Sequence, residues 1–274
     1  MKTIPKSPPK IAICFFGITR SLTHTIGSIE HNILESARAA GDVSTFAHFF
    51  QQLEIDNPRS GEKGMLRQDE HTLLAPDWLE LEEPDLCLAE MDFETLKSYG
   101  DVWQDGFQSL RNLVHQLHSL DRVTNAALGW KPDICIFARP DLMYWDSFDR
   151  VLDKALKAPK QTAFIPSWQH WRGLNDRFAV CVGSDAAQAY GTRKQHALGF
   201  AQASSAVHAE SLLKHSLQMN EINVQRFGVR ASRVRSDGTI KKEDFRDART
   251  VFPRVNKFFK RVRRRLSQRR LFCA

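Results

Sequence analysis

The feature that most constrains the fold is a pair of short runs that are almost continuously apolar, without the alternation of polar and apolar residues seen in half-exposed strands. The first run covers residues 10–17 (KIAICFFG) and ends in a glycine, and the second covers residues 132–138 (PDICIFA). Strands that are buried on both faces have this pattern, which is typical of parallel sheets covered by helices. The two runs therefore predict an α/β fold.

The segment between residues 10 and 50 predicts a β-α-β unit. Ile26, Ile29, Ile33 and Ala37 recur at helical spacing, Gly41 is placed to end that helix, and residues 43–50 (VSTFAHFF) form a second predicted strand. Further strands are predicted up to residue 166, at 178–182 and within 224–234, with helices near 105–128 and 204–219. The expected architecture is an open, mostly parallel sheet flanked by helices, with residues 51–104 as an irregular insertion or lid.

Composition and charge separate a near-neutral body from a basic tail. The chain has 274 residues, of which 42% are hydrophobic and 26% charged, as in one soluble domain. Its net charge is +7, but nine Lys and Arg residues and no Asp or Glu lie in residues 254–274, which leaves −2 for residues 1–253. We therefore expect a flexible N-terminus at 1–9, a folded domain at 10–250 and a basic tail at 251–274, with no signal peptide and no membrane span.

The tail predicts a basic amphipathic helix, because Val255, Phe258, Phe259, Val262 and Leu266 fall on one helical face. Such helices bind anionic membrane surfaces. The predicted membrane-binding residues are Phe258, Phe259, Lys260, Arg261, Arg264 and Arg265. A solvated tail and an RNA-binding segment are the alternatives, although a near-neutral body without a nucleic-acid module argues against nucleic acid as the partner.

Cysteine and histidine usage gives no metal-site pattern. Five cysteines occur without a C-x-x-C pair, and those within apolar runs are expected to be buried strand residues in a reducing cytoplasm. His115 and His118 lie three apart on one predicted helix, which permits a metal pair. Since no carboxylate or cysteine flanks them in sequence, we expect solvated histidines instead.

Two polar segments follow predicted strands, where ligands bind in open α/β sheets. Gly17, Arg20 and Ser21 follow the first strand, and such a loop can present backbone N–H groups and a guanidinium to a phosphate. Arg139 and Asp141 flank a proline after the strand at 132–138, so that a carboxylate could hold a divalent ion or a sugar hydroxyl. A tight turn with a surface arginine and a structural ion pair are the plain alternatives.

A third segment, residues 168–178 (WQHWRGLNDRF), has the composition of a binding loop. Trp168 and Trp171 offer flat faces for a sugar, and Asn175 with Asp176 places an amide and a carboxylate before the next strand. Glu210, on the helix predicted at 204–219, is a further candidate. An ordinary connection and a solvated carboxylate are the alternatives.

At these segments the sequence resembles the bacterial surface-polysaccharide glycosyltransferase-like family, which is of nucleotide-diphospho-sugar transferase type. The resemblance spans residues 10–240. The matching residues are Gly17, Arg20 and Ser21, then Asp42, Val43 and His48, then Arg139 to Leu142, Asn175 to Ala179, Glu210, and Arg235 to Gly238. The Arg-Pro-Asp and Asn-Asp-Arg-Phe segments are the most specific of these.

The resemblance implies a GT-A-like fold and transfer of a sugar from a nucleotide-sugar donor. Gly17, Arg20, Ser21, Arg139 and Asp141 would bind the donor. Where such enzymes carry an Asp-x-Asp motif for Mn²⁺ or Mg²⁺, this chain has Arg139-Pro140-Asp141, so that Asp141 is the single expected metal ligand and an arginine replaces one carboxylate.

The expected catalytic residues are Asp176 and Glu210, and Trp168, Trp171 and Asn175 would bind the acceptor. The acceptor is expected to be an envelope, capsular or lipid-linked glycan, and the enzyme to be cytoplasmic and peripheral at the inner face of the plasma membrane. The alternatives are a non-catalytic relative that binds a nucleotide or glycan, and a basic-tailed nucleic-acid adaptor.

Overall fold

The computed structural model describes residues 7–57, 61–204 and 206–246. The strands within these residues are β1 (Lys10–Gly17), β2 (Asp42–Phe50), β3 (Glu54–Asn57), β4 (Glu62–Met65), β5 (Trp78–Glu82), β6 (Ile134–Ala138), β7 (Leu142–Tyr144), β8 (Thr162–Pro166), β9 (Ala179–Val182), β10 (Asn223–Phe227) and β11 (Ala231–Arg233). The α-helices are α1 (Leu22–Ile29), α2 (Glu35–Ala40), α3 (Leu86–Glu90), α4 (Phe93–Ser98), α5 (Gln108–Gly129), α6 (Asp149–Ala155), α7 (Ser184–Gly191), α8 (Ala197–Ser204) and α9 (Ala209–Met219).

Seven strands form the main sheet in the order β10-β8-β9-β6-β1-β2-β5. All neighbouring pairs are parallel except those of β9, which runs antiparallel between β6 and β8. The expected α/β class, with an open and mostly parallel sheet flanked by helices, is confirmed. Because β2 and β5 lie on one side of β1 and β6 on the other, the strand order reverses between β1 and β6.

Strand β1 shows why its sequence is apolar without alternation. Ile11, Ile13 and Phe15 face a core formed with α1, α2 and α6. Ala12, Cys14 and Phe16 face a second core formed with α5, α7 and α9. Both faces of the strand are covered, so every position favours an apolar side chain. The expected burial of the cysteines within apolar runs is confirmed for Cys14, Cys135 and Cys181, and Cys87 on α3 is buried as well.

The first crossover begins at α1 and continues through one π-helical turn, Glu30–Leu34, into α2. Gly41 ends it as expected, but the physical reason is different from a left-handed cap. Its backbone is extended, with φ −178°. A Cβ at this position would lie 2.2 Å from the Pro9 carbonyl oxygen, so the close approach of another segment requires the glycine.

Residues 51–104 are more regular than the irregular insertion predicted from sequence. They contain a hairpin of β3 and β4, the short helices α3 and α4, and strand β5. Strand β5 pairs in parallel with β2 and forms one edge of the main sheet. Its short sequence alternates acidic and apolar residues, which suits a half-exposed edge strand.

The predicted C-terminal amphipathic helix lies outside the described residues. This holds for every predicted membrane-binding residue: Phe258, Phe259, Lys260, Arg261, Arg264 and Arg265. Within residues 7–57, 61–204 and 206–246, no helix combines the length and the apolar character needed to cross a bilayer.

Candidate functional site

Two loops meet at the point where the strand order reverses. Residues 18–21 follow β1, and residues 139–141 follow the adjacent strand β6. Arg20 Nη2 donates a hydrogen bond of 2.6 Å to Asp141 Oδ2. Crevices at such a reversal, outside the carboxyl ends of the strands, are where open α/β sheets bind ligands. The structure therefore brings the first two predicted segments into one site.

Asp141 is buried and surrounded by guanidinium groups. Arg139 donates from Nε to Oδ1 at 2.9 Å and from Nη2 to Oδ2 at 2.7 Å, and Oδ2 also accepts from Arg20. Burial opposes ionisation, but the positive charges of Arg139 and Arg20 outweigh it and hold the pKa of Asp141 well below its usual range. Asp141 is therefore a fixed anion that orients two arginines.

The same geometry does not fit the predicted Mn²⁺ or Mg²⁺ ligand. Hard divalent cations take several oxygen ligands, whereas Asp141 is 1% exposed and both of its oxygens already accept from arginines. An ion at Asp141 would displace these guanidinium groups or lie against two positive charges. We therefore assign no step to a metal ion at Asp141.

The third predicted segment reaches the same site through Gln116 of α5. Arg139 Nη1 donates to Gln116 Oε1 at 3.3 Å, and Gln116 Nε2 donates to Asp176 Oδ2 at 2.8 Å. The corner at Arg139 and the corner at Asp176 thus face each other across a single amide side chain. Gln116 is a site residue that the sequence analysis missed, since nothing in its neighbourhood distinguishes it from a solvated helix position.

The lack of a side chain at Gly173 allows the loop that carries Asp176 to pack closely against the first turn of α9. A Cβ at Gly173 would lie 1.9 Å from the Glu210 carbonyl oxygen, which also accepts a hydrogen bond of 2.9 Å from the Leu174 N–H. The same loop holds Trp171 and Arg172 at positive φ, which is uncommon for side chains of this size. Such backbone conformations persist where the surrounding structure imposes them, often at functional sites.

Glu210 lies in the first turn of α9 with a side chain that is 16% exposed. Burial, reinforced by the negative charge of Asp176, raises the pKa of Glu210 to about 8. The site therefore contains a carboxyl group that holds its proton at neutral pH beside a second carboxyl group, Asp176. Pairs of carboxyl groups whose environments set their pKa values apart are typical of acid–base catalysis.

Two buried arginines complete the site around Asp176. Arg193 is 0% exposed, donates from Nη1 to the Tyr190 carbonyl oxygen at 2.6 Å and places Nη2 3.9 Å from Asp176 Oδ2. Arg177 lies over the Trp168 ring and 3.5 Å from Glu243, and burial lowers its pKa to about 10. Within the described residues, Arg193 Nε and Nη2 and Arg177 Nη1 have no hydrogen-bond partner.

The ion pairs connect these groups in three sets, and Gln116 links the set of Asp141 to the set of Asp176. We call the three sets together, with Glu210 beside Asp176, the arginine site. Its cations are Arg20, Arg139, Arg177, Arg193, Arg233 and Arg235, and its carboxyl groups are Glu62, Asp141, Asp176, Glu210 and Glu243. Since Glu210 keeps its proton at neutral pH, positive charges outnumber negative ones. Such a buried surplus of guanidinium groups, some with unused donors, favours an anionic ligand.

A cleft opens beside Arg20 at the carboxyl ends of β1, β2 and β5. It has about 300 Å³ of empty volume, and its lining includes Thr19, Arg20, Phe50, Gln51 and His71. This volume includes space that is open to solvent. The cleft lets a ligand approach the arginine site from the side of β2.

Ser21 of the first loop has a structural position. Its side chain is buried, and Oγ donates to the Val234 carbonyl oxygen at 3.1 Å, so it presents no hydroxyl to a ligand. Gly17 has φ +110°, a conformation that glycine adopts readily, and its N–H donates to Ser119 Oγ at 2.8 Å. Of the residues predicted in this loop, Arg20 is the one that reaches the site with a charged group.

Two of the three predicted acceptor-binding residues are also structural. Trp168 is 1% exposed, its Nε1 donates to the Val229 carbonyl oxygen, and Arg177 covers its ring, so the expected sugar-stacking role is wrong for this residue. Asn175 is equally buried and donates to the Trp168 carbonyl oxygen at 2.8 Å, which fixes the loop instead of binding an acceptor. Trp171 is 57% exposed, so the predicted contact with an acceptor stays a prediction for this residue.

A second polar cluster, the histidine cluster of His48, Glu82 and His118, lies beside the arginine site. Glu82 Oε2 is 3.0 Å from His48 Nε2 and 2.8 Å from His118 Nε2. His118 is 4% exposed, so the expectation of a solvated histidine is wrong. The carboxylate comes from β5, far away in sequence, and was therefore invisible to an analysis of neighbouring residues. His115 contacts Asp85 instead, at 2.9 Å.

Comparison with known proteins gives no sequence match and a distant structural similarity. No family model and no curated protein matches the sequence. Among solved structures, the chain is similar to mouse xyloside xylosyltransferase 1 in its apo form, with a TM-score of 0.41 and 11% sequence identity. The similarity covers 80% of this chain and 84% of the mouse chain. Function therefore has to be inferred from the residues of the site.

Proposed function

We propose that this protein is a glycosyltransferase that moves a sugar from a nucleotide-sugar donor to a glycan acceptor. The supporting observation is the convergence of Arg20, Arg139, Asp176 and Glu210 on one crevice, where the strand order reverses. A crevice with surplus guanidinium groups and a pair of carboxyl groups can bind a diphosphate and transfer a proton. Transfer of a sugar from a nucleotide-sugar donor requires both diphosphate binding and proton transfer.

Arg20 and Arg139 would stabilise the departing diphosphate. Both are held by Asp141, and Arg20 also bonds Glu62 while Arg139 bonds Gln116. Arg20 lines the cleft, which would accept the nucleotide. As the bond between the sugar and the diphosphate breaks, negative charge grows on the phosphate oxygen. Asp141 keeps the two guanidinium groups in place for that charge, so they need little rearrangement during the reaction.

Asp176 would accept the proton of the attacking acceptor hydroxyl. Its carboxylate is fixed by Gln116 Nε2 and faces the buried Arg193, so that one oxygen edge has a constant orientation. Glu210, which carries its proton at neutral pH, would donate a hydrogen bond to the donor or acceptor. Trp171, at the exposed edge of the loop, would stack against the acceptor sugar.

The acceptor that we propose is a lipid-linked or capsular glycan of a bacterial envelope. The basic residues 254–274 would hold the enzyme at the inner face of the plasma membrane, where anionic lipids attract Lys and Arg. Sedimentation with anionic liposomes tests this part separately. If a 1–253 variant sedimented as well as the full chain, the tail would not be the anchor.

A non-catalytic relative that binds a nucleotide or glycan is the second candidate. The observation that favours it is the occupation of both Asp141 oxygens by arginines, which leaves no evident place for the metal of related enzymes. Release of nucleoside diphosphate from one sugar nucleotide distinguishes the two candidates. An enzyme releases it slowly even without acceptor, whereas a binding protein does not.

Thermal unfolding of the full chain against a panel of sugar nucleotides tests donor binding, with and without Mn²⁺. A true donor at a hundredfold excess over its dissociation constant stabilises the protein by about 2.7 kcal/mol. An Arg139→Gln variant should lose this stabilisation, because it removes a diphosphate-binding charge. Equal stabilisation of both proteins would contradict the assignment of the arginine site as the donor site.

A further inference from the structure

The histidine cluster has the composition and the spacing of a metal site that is separate from the arginine site. Its three ligand atoms, one from each residue, all lie within 4.8 Å of one another. They come from three elements: His48 from β2, Glu82 from β5 and His118 from α5. Two imidazoles and one carboxylate, with one coordination position left open, are a common ligand set for divalent transition metals.

The tautomer of His48 follows from the contacts of Ser119. Ser119 Oγ lies 2.8 Å from the His48 carbonyl oxygen, which can only accept, so the single hydroxyl hydrogen is used there. The same Oγ lies 3.0 Å from His48 Nδ1, which must then be the donor of that contact. In a neutral imidazole, His48 Nε2 is left with a lone pair that faces the Glu82 carboxylate at 3.0 Å.

Two lone pairs that face each other at this distance need a proton or a metal ion between them. A divalent ion can accept both lone pairs and bond the two atoms directly. His118 also places Nε2 towards the same oxygen, Glu82 Oε2, at 2.8 Å.

The surroundings of His48 provide what a metal-binding histidine needs. Such a histidine usually donates its second ring N–H to a hydroxyl, carbonyl or carboxylate, which fixes the ring. The Ser119 hydroxyl has this position for His48, whereas His118 Nδ1 lies 3.2 Å from the Glu90 carboxylate without a hydrogen bond to it within the described residues. Glu90 is held in turn by Lys194 Nζ at 2.7 Å. Both Nε2 atoms therefore point at the same oxygen of Glu82.

We propose that His48, Glu82 and His118 bind one divalent transition-metal ion, with Zn²⁺ as the representative ion. The ion joins the edge strand β5 to β2 and to α5, and therefore stabilises the wall behind the cleft. The site does not depend on the proposed transferase activity, because none of its three ligands belongs to the arginine site.

The test uses the full chain stripped of metal with a chelator and then titrated with Zn²⁺ alone. We expect one equivalent of Zn²⁺ per chain and a rise in the thermal unfolding temperature. His118→Asn and Glu82→Gln should each weaken binding by at least about tenfold. His115→Asn is the matched control, since His115 lies on the same helix and contacts a carboxylate outside the cluster. Unchanged binding in both ligand variants, or less than a tenth of an equivalent in the unmodified chain, would overturn the proposal.

A measurement on the unmodified chain covers the case in which the variants do not fold. X-ray absorption at the zinc edge should show only nitrogen and oxygen neighbours at about 2.0–2.1 Å, with the multiple scattering of two imidazoles. Sulfur neighbours at about 2.3 Å would assign the ion to cysteines and would refute the histidine cluster as the site.

Discussion

The arginine site and the histidine cluster lie at the same edge of one sheet, yet their chemistry is opposite. In the arginine site, Asp141 accepts from Arg20 and Arg139, and Glu62 accepts from Arg20 and Arg235. In the histidine cluster, one carboxylate oxygen of Glu82 faces two imidazole nitrogens, and no arginine contacts that oxygen among the contacts of the described residues. The first arrangement suits an anion and the second a cation.

The difference shows that a polar strand end does not define its ligand by itself. Asp141 and Glu82 are both carboxylates near the carboxyl ends of strands. What differs is the helix or loop packed against each: Arg20 covers Asp141, whereas His118 of α5 covers Glu82. The neighbours fix the sign of the local charge, and that sign determines which ligand the site can take.

The largest effect is expected for Asp176→Asn, which keeps the shape of the arginine site but removes its proton acceptor. Sugar transfer should fall by about 10²–10⁴-fold, whereas donor binding, measured by thermal shift, should change little. Asp237→Asn, at an exposed turn, is the control and should transfer at the parental rate. Full activity of Asp176→Asn would remove Asp176 as the base and leave the arginine site as a binding site only.

Gly173→Ala should damage the arginine site and spare the histidine cluster. The added methyl group meets the Glu210 backbone, so we expect a loss of about 3 kcal/mol or more in the free energy of unfolding, or local displacement of the loop. Gly199→Ala is the control, since Gly199 lies on α8 with open space around its Cβ position and should gain up to about 1 kcal/mol. Similar unfolding curves for the two variants would show that the loop has room at Gly173.

Glu210 should give the arginine site its own pH dependence. Because its pKa is raised from 4.5 to about 8, its stabilising contribution is complete below pH 4.5 and is lost as the pH rises through 8. The difference corresponds to a few kcal/mol at about 1.4 kcal/mol for each unit. In Glu210→Gln, the free energy of unfolding should decline less between pH 6 and 9 than in the unmodified chain. Glu94→Gln, at an exposed position, should follow the parental curve, and a matching curve for Glu210→Gln would contradict the raised pKa.

The smallest effect is expected for Arg139→Lys, which keeps the charge and loses the two-pronged contact with Asp141. Affinity for inorganic diphosphate, measured by calorimetry, should fall about tenfold, which is about 1.4 kcal/mol. Arg230→Lys is the matched control, because Arg230 also pairs with an aspartate but is half exposed and lies outside the arginine site. If both variants lost the same affinity, the effect would come from general charge and not from the geometry at Asp141.

The sequence was sufficient to predict the parts of the candidate site that directly follow strands of the parallel sheet. The apolar runs of β1 and β6 located the loops that carry Arg20, Arg139 and Asp141, since parallel strands present their carboxyl ends at one edge. That inference needs only the order of elements and the pattern within each strand. The convergence of Asp176 on the same place depends in addition on the antiparallel direction of β9, which the sequence did not predict.

Sequence reasoning failed where a contact depends on how a helix is rotated against the sheet. Gln116 and His118 lie on α5, and their partners Asp176 and Glu82 are distant in sequence. Trp168 was misjudged because a tryptophan in a polar loop looks exposed, whereas its indole N–H finds a carbonyl in the core. Packing decides such cases, and a single sequence does not contain the packing.

Ser119 contacts the end of β1, next to the loop of the arginine site, and also contacts the histidine cluster. This shared contact has a thermodynamic consequence. The Ser119 hydroxyl oxygen accepts from the Gly17 N–H, at the start of the loop that carries Arg20, and contacts the ring of His48. If an ion shifts that ring, the shift reaches the end of β1 through Ser119. Binding of the cation to the histidine cluster and binding of the anion to the arginine site are then coupled. Whatever factor the cation imposes on the affinity of the anion, the anion must impose on the affinity of the cation.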